Sequence, residues 1–361
     1  MSSKATAQLR PSPAKRIRIS DVAEHLNLTK GTVSRALNGY PDISESTRTR
    51  VRAAADRLGY RPLVQAQTIR TGRSRAIGLI LEDHEYDGHS PFVAQFMAGL
   101  SEGAAREDWT LSVTTASSEA DTLRRLDELV HDKKSDGFIL PRTQVDDPRV
   151  RFLREADVPF VLYGRTGDSR GCAWFDIESE AAMAEAVSRL AALGHRRIAH
   201  VPGAPGYTYA VVRKDGYLRG MEAAGLQADD ALIGAPAVGR AEGSAAALPL
   251  IEAGATALVF AVDHAALGAY DAIRALGLRV GHDVSVISYD GIPEGAYVDP
   301  PLSTFRVDTR AAGRRLAELL IRRCRGEAPE ALRALAQAQF LDRGSHAGAP
   351  NAPPVTAIGK T

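Results

Sequence analysis

Residues 16–38, RIRISDVAEHLNLTKGTVSRALN, hold two short amphipathic segments that are separated by only a few residues. The spacing predicts a first helix over residues 20–26, with Ser20 as its N-cap, and a second helix over residues 30–37. Residues 27–29 form the turn between them. Two short helices joined by a turn of three to four residues are typical of the helix-turn-helix, an arrangement that reads DNA.

The apolar residues of both segments fall on one inward face, which consists of Val22, Ala23, Leu26, Val33, Ala36 and Leu37. The outward residues are small, hydroxylated, amide-bearing or basic, as contacts with base edges and phosphates require. We therefore expect DNA contacts from Ser20, Thr29, Lys30, Gly31, Thr32, Ser34, Arg35 and Asn38. A third helix is predicted to follow, with Ser44 as its N-cap and Gly59 at its end.

Charge distinguishes this head from the rest of the chain. Residues 1–75 carry 15 Lys and Arg against five Asp and Glu, a net charge of +10, whereas the whole chain carries +1. Residues 76–361 therefore sum to −9. A three-helix unit with no nucleic-acid role has no need of so basic a surface. The charge split favours a DNA-binding module joined to a different kind of domain.

The head closely resembles a known family. SDVAEHLNLTKGTVSRALNG and DISESTRTRVRAAADRLGYRP are similar to the head of the LacI/GalR family of bacterial transcription regulators. The resemblance continues in LAALGHRRIAHVPG at 190–203, ALGAYDAIRALGLRVGHDVSVISYDG at 266–291 and PPLSTFRVD at 300–308. These segments keep the family's order and approximate spacing over nearly the whole chain.

Residues 61–74, RPLVQAQTIRTGRS, join the head to the body, and by themselves they are consistent with a plain connector. The resemblance implies instead a hinge helix that orders on the operator and enters the minor groove. It places Ile69 at the wedge position, where the family more often has leucine. It places Ala66 at the close approach of two hinge helices in a dimer. Both are therefore expected DNA-site residues.

Beyond residue 76, short β-branched runs alternate with Ala- and Leu-rich stretches. The predicted strands are 76–81, 110–115, 137–140, 159–163, 197–202, 257–262 and 284–289, and the predicted helices include 119–134, 179–193, 211–224 and 264–276. This alternation predicts an α/β fold with parallel sheets and helices on both faces. Alternation alone also allows one large doubly wound sheet. The resemblance implies two lobes of a periplasmic-binding-protein-like (type I) clamp.

Polar side chains follow four of the predicted strands, where ligands of parallel sheets bind. Carboxylates accept hydrogen bonds from sugar hydroxyls, a guanidinium donates two, and aromatic rings cover the apolar face of a sugar. The resemblance adds the family's effector-binding arginine, which falls in VVRKDGY. The expected effector site comprises Phe92, Arg142, Arg165, Trp174, Tyr209, Arg213, Asp263 and Asp290.

Two of these positions need comment: Trp174 has an alternative role, and the sequence at Asp263 departs from the family pattern. Trp174 lies among apolar neighbours and is equally consistent with a core position. At Asp263 the chain departs from the family, which usually has Asn-Asp there, because Val262 replaces the amide residue. The missing amide removes a common hydroxyl partner, so the effector of a well-known member cannot be carried over to this chain.

Several function classes are disfavoured. The chain has no Walker, HExxH, GxSxG or paired CxxC motif, and its nine histidines show no metal-ligand spacing, so we expect no enzyme activity, metal or cofactor. No apolar run reaches 18 residues and no signal core opens the chain, so no membrane association is expected. Cys172 and Cys324 are too few for a disulfide framework, which points to the cytoplasm.

These observations predict a cytoplasmic, homodimeric transcription regulator, a repressor that a mono- or disaccharide releases from a palindromic double-stranded operator. The alternative is a regulator of the same family with a purine or nucleoside corepressor that strengthens DNA binding. A sugar-binding module without regulation would not need the basic head. The segment after Gly344 has no leucine heptad, which favours a dimer over a tetramer.

The expected domain organisation begins with a flexible basic tail (1–15), the helix-turn-helix domain (16–61) and the hinge (62–75). The effector and dimerisation domain follows (76–345), and a flexible tail ends the chain (346–361). The first lobe is expected to comprise about 76–175 plus 305–327, and the second 176–304 plus 328–345.

Overall fold

The computed structural model describes residues 17–60, 73–82 and 91–350, and the chain divides into two compact units, Met1–Ser74 and Arg75–Thr361. The predicted hinge residues Ala66 and Ile69 lie outside the described residues. So do the predicted basic tail, the side chain of Phe92 and the last eleven residues.

The head consists of three helices, α1 (Ile19–Leu26), α2 (Lys30–Leu37) and α3 (Glu45–Leu58). The predicted inward faces form its core, in which Val22, Val33 and Val51 are completely buried. Local caps begin both helices: the Thr29 hydroxyl accepts from the amide of Thr32 at the start of α2, and Ser44 caps α3 in the same way, as predicted. Gly59, at a φ of 70°, ends α3.

The first lobe of the body is built on a sheet of six parallel strands in the order β10-β5-β4-β3-β1-β2. Its strands are β1 (Ala76–Glu82), β2 (Thr110–Ala116), β3 (Gly137–Leu140), β4 (Phe160–Tyr163), β5 (Ala173–Ile177) and β10 (Arg333–Ala336). Its helices are α4 (Pro91–Ala105), α5 (Glu119–His131), α6 (Pro148–Glu155) and α11 (Thr309–Cys324).

The second lobe has a five-stranded sheet in the order β11-β9-β8-β7-β6, which is parallel except for the β9–β11 pair. Its strands are β6 (Ile198–Val201), β7 (Ala257–Phe260), β8 (Ser285–Asp290), β9 (Ser303–Arg306) and β11 (Gln339–Leu341). Its helices are α7 (Ser179–Ala192), α8 (Thr208–Ala223), α9 (Arg240–Glu252) and α10 (Asp263–Ala275). The predicted two-lobed α/β architecture is confirmed, and the single large sheet is excluded.

Buried apolar side chains cover both faces of each sheet. One large cluster continues from Ile77 and Phe96 in the first lobe to Tyr217 and Tyr289 in the second, so the lobes share part of their core. Two further clusters fill the outer layers, one beneath α5 and α6 and the other beneath α9 and α10. The chain crosses between lobes after β5, after β9 and between β10 and β11.

The last crossing differs from the expected lobe boundaries, which placed residues 328–345 in the second lobe alone. Arg333–Ala336 pair with β5 of the first sheet, whereas Gln339–Leu341 pair with β9 of the second. These strands have only four and three residues, RALA and QFL, which is too short a pattern to indicate their partners. The expected flexible tail also begins too early, since Ala347 and Ala349 still hydrogen-bond to the second lobe.

Within the described ranges, no helix is both long enough and apolar enough to cross a bilayer.

Candidate DNA interface and effector cleft

The first helix of the head begins one residue earlier than predicted. Helix α1 starts at Ile19, and Ser20 is not its N-cap. Instead the Asp21 carboxylate reaches back and accepts a hydrogen bond of 2.8 Å from the amide of Arg18. A carboxylate in the first turn also interacts favourably with the positive end of the helix dipole, which explains why Asp21 takes this role in place of the Ser20 hydroxyl.

The predicted outward face of α2 is accessible. Thr29, Lys30, Gly31 and Arg35 are exposed, and Thr32, Ser34 and Asn38 are partly exposed. The Asn38 amide donates to the carbonyl of Ser34, which fixes the end of the helix. An accessible row of hydroxyl and basic groups next to a glycine can approach a groove closely and donate to base edges or phosphates. Contacts of these residues with DNA remain predictions.

Arg35 is held in place by its neighbours. Its guanidinium forms an ion pair with Asp42 and lies 5.5 Å from the centre of the Tyr40 ring. Because both members of the pair are about half exposed, the ion pair adds little stability. It does restrict the orientation of Arg35, the longest donor on the outward face of α2.

Arg213 is the central cation of the cleft between the lobes. It lies in the second turn of α8, and its side chain is only 11% exposed. Its guanidinium donates to the carbonyl of Ala261, lies 3.6 Å from the Asp290 carboxylate and sits 3.8 Å above the Tyr289 ring. Tyr209 covers it from another side at 4.9 Å. The cleft therefore offers a guanidinium, a carboxylate and aromatic faces in one place.

Asp290 ends β8 with a φ of 128°, a conformation that is strained for any residue except glycine. Burial raises the pKa of its carboxyl to about 7, although Arg213 opposes this shift. The carboxylate also accepts a hydrogen bond from the amide of Asp263, at the N-terminus of α10. A strained acid with a raised pKa at the end of a strand is typical of a functional position rather than of a structural one.

Asp263 does not lie on the cleft surface, contrary to prediction. It is completely buried, and its carboxylate accepts from the amides of Gly291 and Ile292 at 2.8 and 2.9 Å and from the Thr304 hydroxyl at 2.7 Å. Burial raises the pKa of this carboxyl. The structure thus replaces the predicted effector contact with a positioning role, because Asp263 fixes the loop that directly follows Asp290.

Arg165 bridges the two lobes. Its guanidinium binds Asp176 at the end of β5 at 2.5 Å, and it binds both carboxylate oxygens of Glu180 in the first turn of α7 at 2.8 and 3.0 Å. These two acids raise the pKa of Arg165 even though burial alone would lower it. Arg165 is partly exposed, and its effector contact stays a prediction.

The predicted aromatic residues of the effector site lie in different surroundings. Trp174 packs against the apolar cluster beneath α5 and α6, which is the core alternative for this residue. Tyr209 lies beside Arg213, and its hydroxyl accepts a 3.0 Å hydrogen bond from the amide of Ala204. Arg142, at a φ of 48°, stacks on the Tyr207 ring at 5.0 Å. Tyr209 thus meets the predicted cluster and Trp174 does not.

Sequence reasoning missed four residues of this region, namely Tyr163, Asp176, Glu180 and Tyr289. Tyr163 is the last residue of β4 and Tyr289 the penultimate residue of β8, and burial raises the pKa of both phenols. Their place at the carboxyl ends of predicted strands could have identified them, as it identified Asp290. Nothing local in the sequence indicates that Glu180 reaches Arg165.

A basic three-helix head and a two-lobed clamp with a charged, aromatic cleft define the class of ligand-responsive DNA-binding regulators. Comparison with known proteins agrees with this class. The protein-family model described as "Bacterial regulatory proteins, lacI family" matches residues 18–62, and the family model described as "Periplasmic binding protein-like domain" matches residues 187–346.

Full-length relatives extend the match. The HTH-type transcriptional regulator AglR of Rhizobium meliloti (strain 1021) is 34% identical over 94% of this chain and 97% of its own length. A transcriptional regulator CelR–cellobiose complex superposes with a TM-score of 0.71 at 29% identity, over 91% of this chain and all of that one. The structure of the lac repressor dimer bound to operator and the anti-inducer ONPF superposes with a TM-score of 0.75 at 26% sequence identity, and the match covers 92% of this chain and 100% of that one. The chain belongs to the LacI family of transcription regulators.

Proposed function

We propose that this regulator is a repressor that a neutral sugar, a mono- or disaccharide, releases from a palindromic operator. The observation that carries the proposal is the cleft constellation of Arg213, Asp290 and Tyr209, which can donate to hydroxyls, accept from hydroxyls and cover an apolar ring face at one point. The relative solved as a complex with cellobiose supports a carbohydrate as the class of effector.

The DNA half of the proposal assigns the outward face of α2 to the major groove. Lys30 and Arg35 would donate to guanine acceptors or phosphates, and Gly31 would allow close approach of the backbone. Ser20, Thr29, Thr32, Ser34 and Asn38 would complete the contacts. A dimer is proposed because a two-fold protein matches a two-fold site, and the lac repressor relative was solved as a dimer on its operator. A regulator with these partners acts in the cytoplasm and needs no catalytic group.

The coupling would be carried by the two lobes. A sugar that prefers one lobe arrangement shifts the population of the clamp and so changes operator affinity. A hundredfold preference per site corresponds to about 2.7 kcal/mol of coupling free energy.

The test is a fluorescence-anisotropy titration of the full chain on a palindromic operator with a central CG step, at fixed salt. The panel comprises neutral mono- and disaccharides together with purines. We expect one sugar to weaken operator binding, and Arg213→Ala to bind the operator like wild type but to ignore that sugar. Binding that only a purine strengthens would favour the corepressor alternative. No binding to any palindrome would refute the regulator itself.

A further inference from the structure

Two loops from different lobes pair through their backbones beside the cleft. Gln144 and Tyr207 form an antiparallel bridge. The amide of Val145 donates to the carbonyl of Gly206 at 2.9 Å, and the amide of Thr208 donates to the carbonyl of Thr143 at 3.0 Å. The first loop follows β3 of the first sheet and the second follows β6 of the other, so these are direct contacts between lobes. We call residues 143–145 and 206–208 the inter-lobe bridge.

The first-lobe side of the bridge is held by a buried ion pair. Arg149 donates to both carboxylate oxygens of Asp147, at 3.0 and 2.7 Å, and to the carbonyls of Pro141 and Arg142 at 3.1 and 3.2 Å. Asp147 in turn accepts from the amide of Gln144. These hydrogen bonds fix the loop to the first lobe, so the loop presents its backbone to the second lobe in a defined conformation.

The second-lobe side leads directly into the effector cleft. Tyr207 is the N-cap of α8, and Tyr209 and Arg213 lie in the first two turns of that helix. Arg142 of the first lobe stacks its guanidinium on the Tyr207 ring. The N-terminus of α8 is thus bound to the first lobe by two backbone hydrogen bonds and one cation–π contact, only a few residues from Arg213.

We propose that the inter-lobe bridge sets effector affinity by holding the lobes in the arrangement that surrounds the effector, and that Arg142 is a positioning residue acting through Tyr207. Effector affinity is reduced when the surrounding arrangement is only partly populated, so contacts that favour this arrangement raise the affinity without touching the ligand. This inference rests on the proposed function, and it assigns to a backbone contact a role in sensing.

One substitution removes one bridge hydrogen bond and little else. Thr208 is the first residue of α8, where proline is well tolerated, and the preceding Tyr207 has φ −85° and ψ 138°, the region that a residue before proline adopts. Thr208→Pro deletes the amide that binds Thr143. Thr208→Ala is the matched control, because it keeps the amide and removes a buried hydroxyl that has no hydrogen-bond partner among the described residues.

Both variants are titrated as full chains with the operator and with cellobiose, maltose, sucrose and trehalose. We expect Thr208→Pro to need about threefold to tenfold more sugar than Thr208→Ala for half release, from the net contribution of one hydrogen bond. Operator affinity without sugar should be no weaker in Thr208→Pro than in Thr208→Ala, because losing a bridge bond disfavours the arrangement that the sugar stabilises. Equal sugar affinity would overturn the proposal and leave the regulator intact, whereas a wild-type chain that binds no operator would refute the proposed function.

Amide hydrogen exchange tests the bridge even when no sugar in the panel acts. The amide of Val145 should exchange slowly in wild type and in Thr208→Ala, and several-fold faster in Thr208→Pro, because losing one hydrogen bond frees its neighbour in the bridge. Unprotected Val145 in wild type would overturn the proposal.

Two variants of Arg142 distinguish a positioning role from a direct contact with the effector. Arg142→Lys keeps a cation over the Tyr207 ring but loses the planar fork, whereas Arg142→Ala loses both. A positioning role predicts that the lysine variant recovers most of the effector affinity that the alanine variant loses. Equal losses in the two variants would show a direct guanidinium contact with the effector and overturn this part of the proposal.

Discussion

Replacing Asp263 by alanine should destabilise the body and loosen the cleft together. The substitution leaves three donors without their acceptor, namely the partly buried amides of Gly291 and Ile292 and the buried hydroxyl of Thr304. A buried unpaired donor costs about 1–3 kcal/mol and a partly buried one costs less, and removing a buried carboxylate returns part of that sum. We expect the free energy of unfolding to fall by about 3 kcal/mol. Asp263→Asn should lose only about 1 kcal/mol, because its carbonyl oxygen still accepts from the amides and its NH₂ donates to Thr304.

Urea unfolding followed by tryptophan fluorescence measures this effect in the body alone, because both tryptophans, Trp109 and Trp174, lie in that unit. The same variants should weaken effector binding in the same order, since Asp263 holds the loop beside Asp290. An Asp263→Ala protein within about 0.5 kcal/mol of wild type would refute the argument that this carboxylate organises the loop.

Three further predictions concern single groups. Burial lowers the pKa of His200 to about 4, so this histidine contributes about 2 kcal/mol less stability at pH 5 than at pH 7.5, and the stability of wild type relative to His200→Leu in urea unfolding should fall by that amount. Arg35→Ala should weaken operator binding at least tenfold in anisotropy, without altering sugar affinity. Because the pKa of Asp290 is raised to about 7, sugar affinity should decrease from pH 8 to pH 6 as the carboxylate acceptor is protonated; Asp290→Asn should be insensitive over this range.

Local chemistry in the sequence was enough to predict most of the head. The N-caps Thr29 and Ser44 and the terminating Gly59 act within four residues of themselves, so the bounds of α2 and α3 could be obtained from the sequence alone. The wrong prediction of Ser20 as N-cap also concerns only a few residues. Ser20 and Asp21 can each accept a hydrogen bond at the start of α1, and it is the Asp21 carboxylate that accepts from the amide of Arg18.

The cleft was predictable only in part. The rule that sites lie beyond the carboxyl ends of strands selected Asp290 and the family resemblance selected Arg213, and the structure brings the two side chains to 3.6 Å of each other. The rule cannot distinguish a side chain that faces the cleft from one that turns inward. Asp263 turns inward because the groups that donate hydrogen bonds to its carboxylate belong to residues 291, 292 and 304, which are distant from it in the sequence. The pairing of Arg165 with Glu180 depends on the crossing between lobes in the same way.

The operator titration with and without sugars tests the central claim most directly, provided that Arg213→Ala is measured beside the wild type. The account predicts that a neutral sugar weakens operator binding by the wild-type chain at fixed salt, and that the variant binds the operator with unchanged affinity and does not respond. A variant that releases the operator at the same sugar concentration as wild type would contradict the assignment of the cleft as the sensing site.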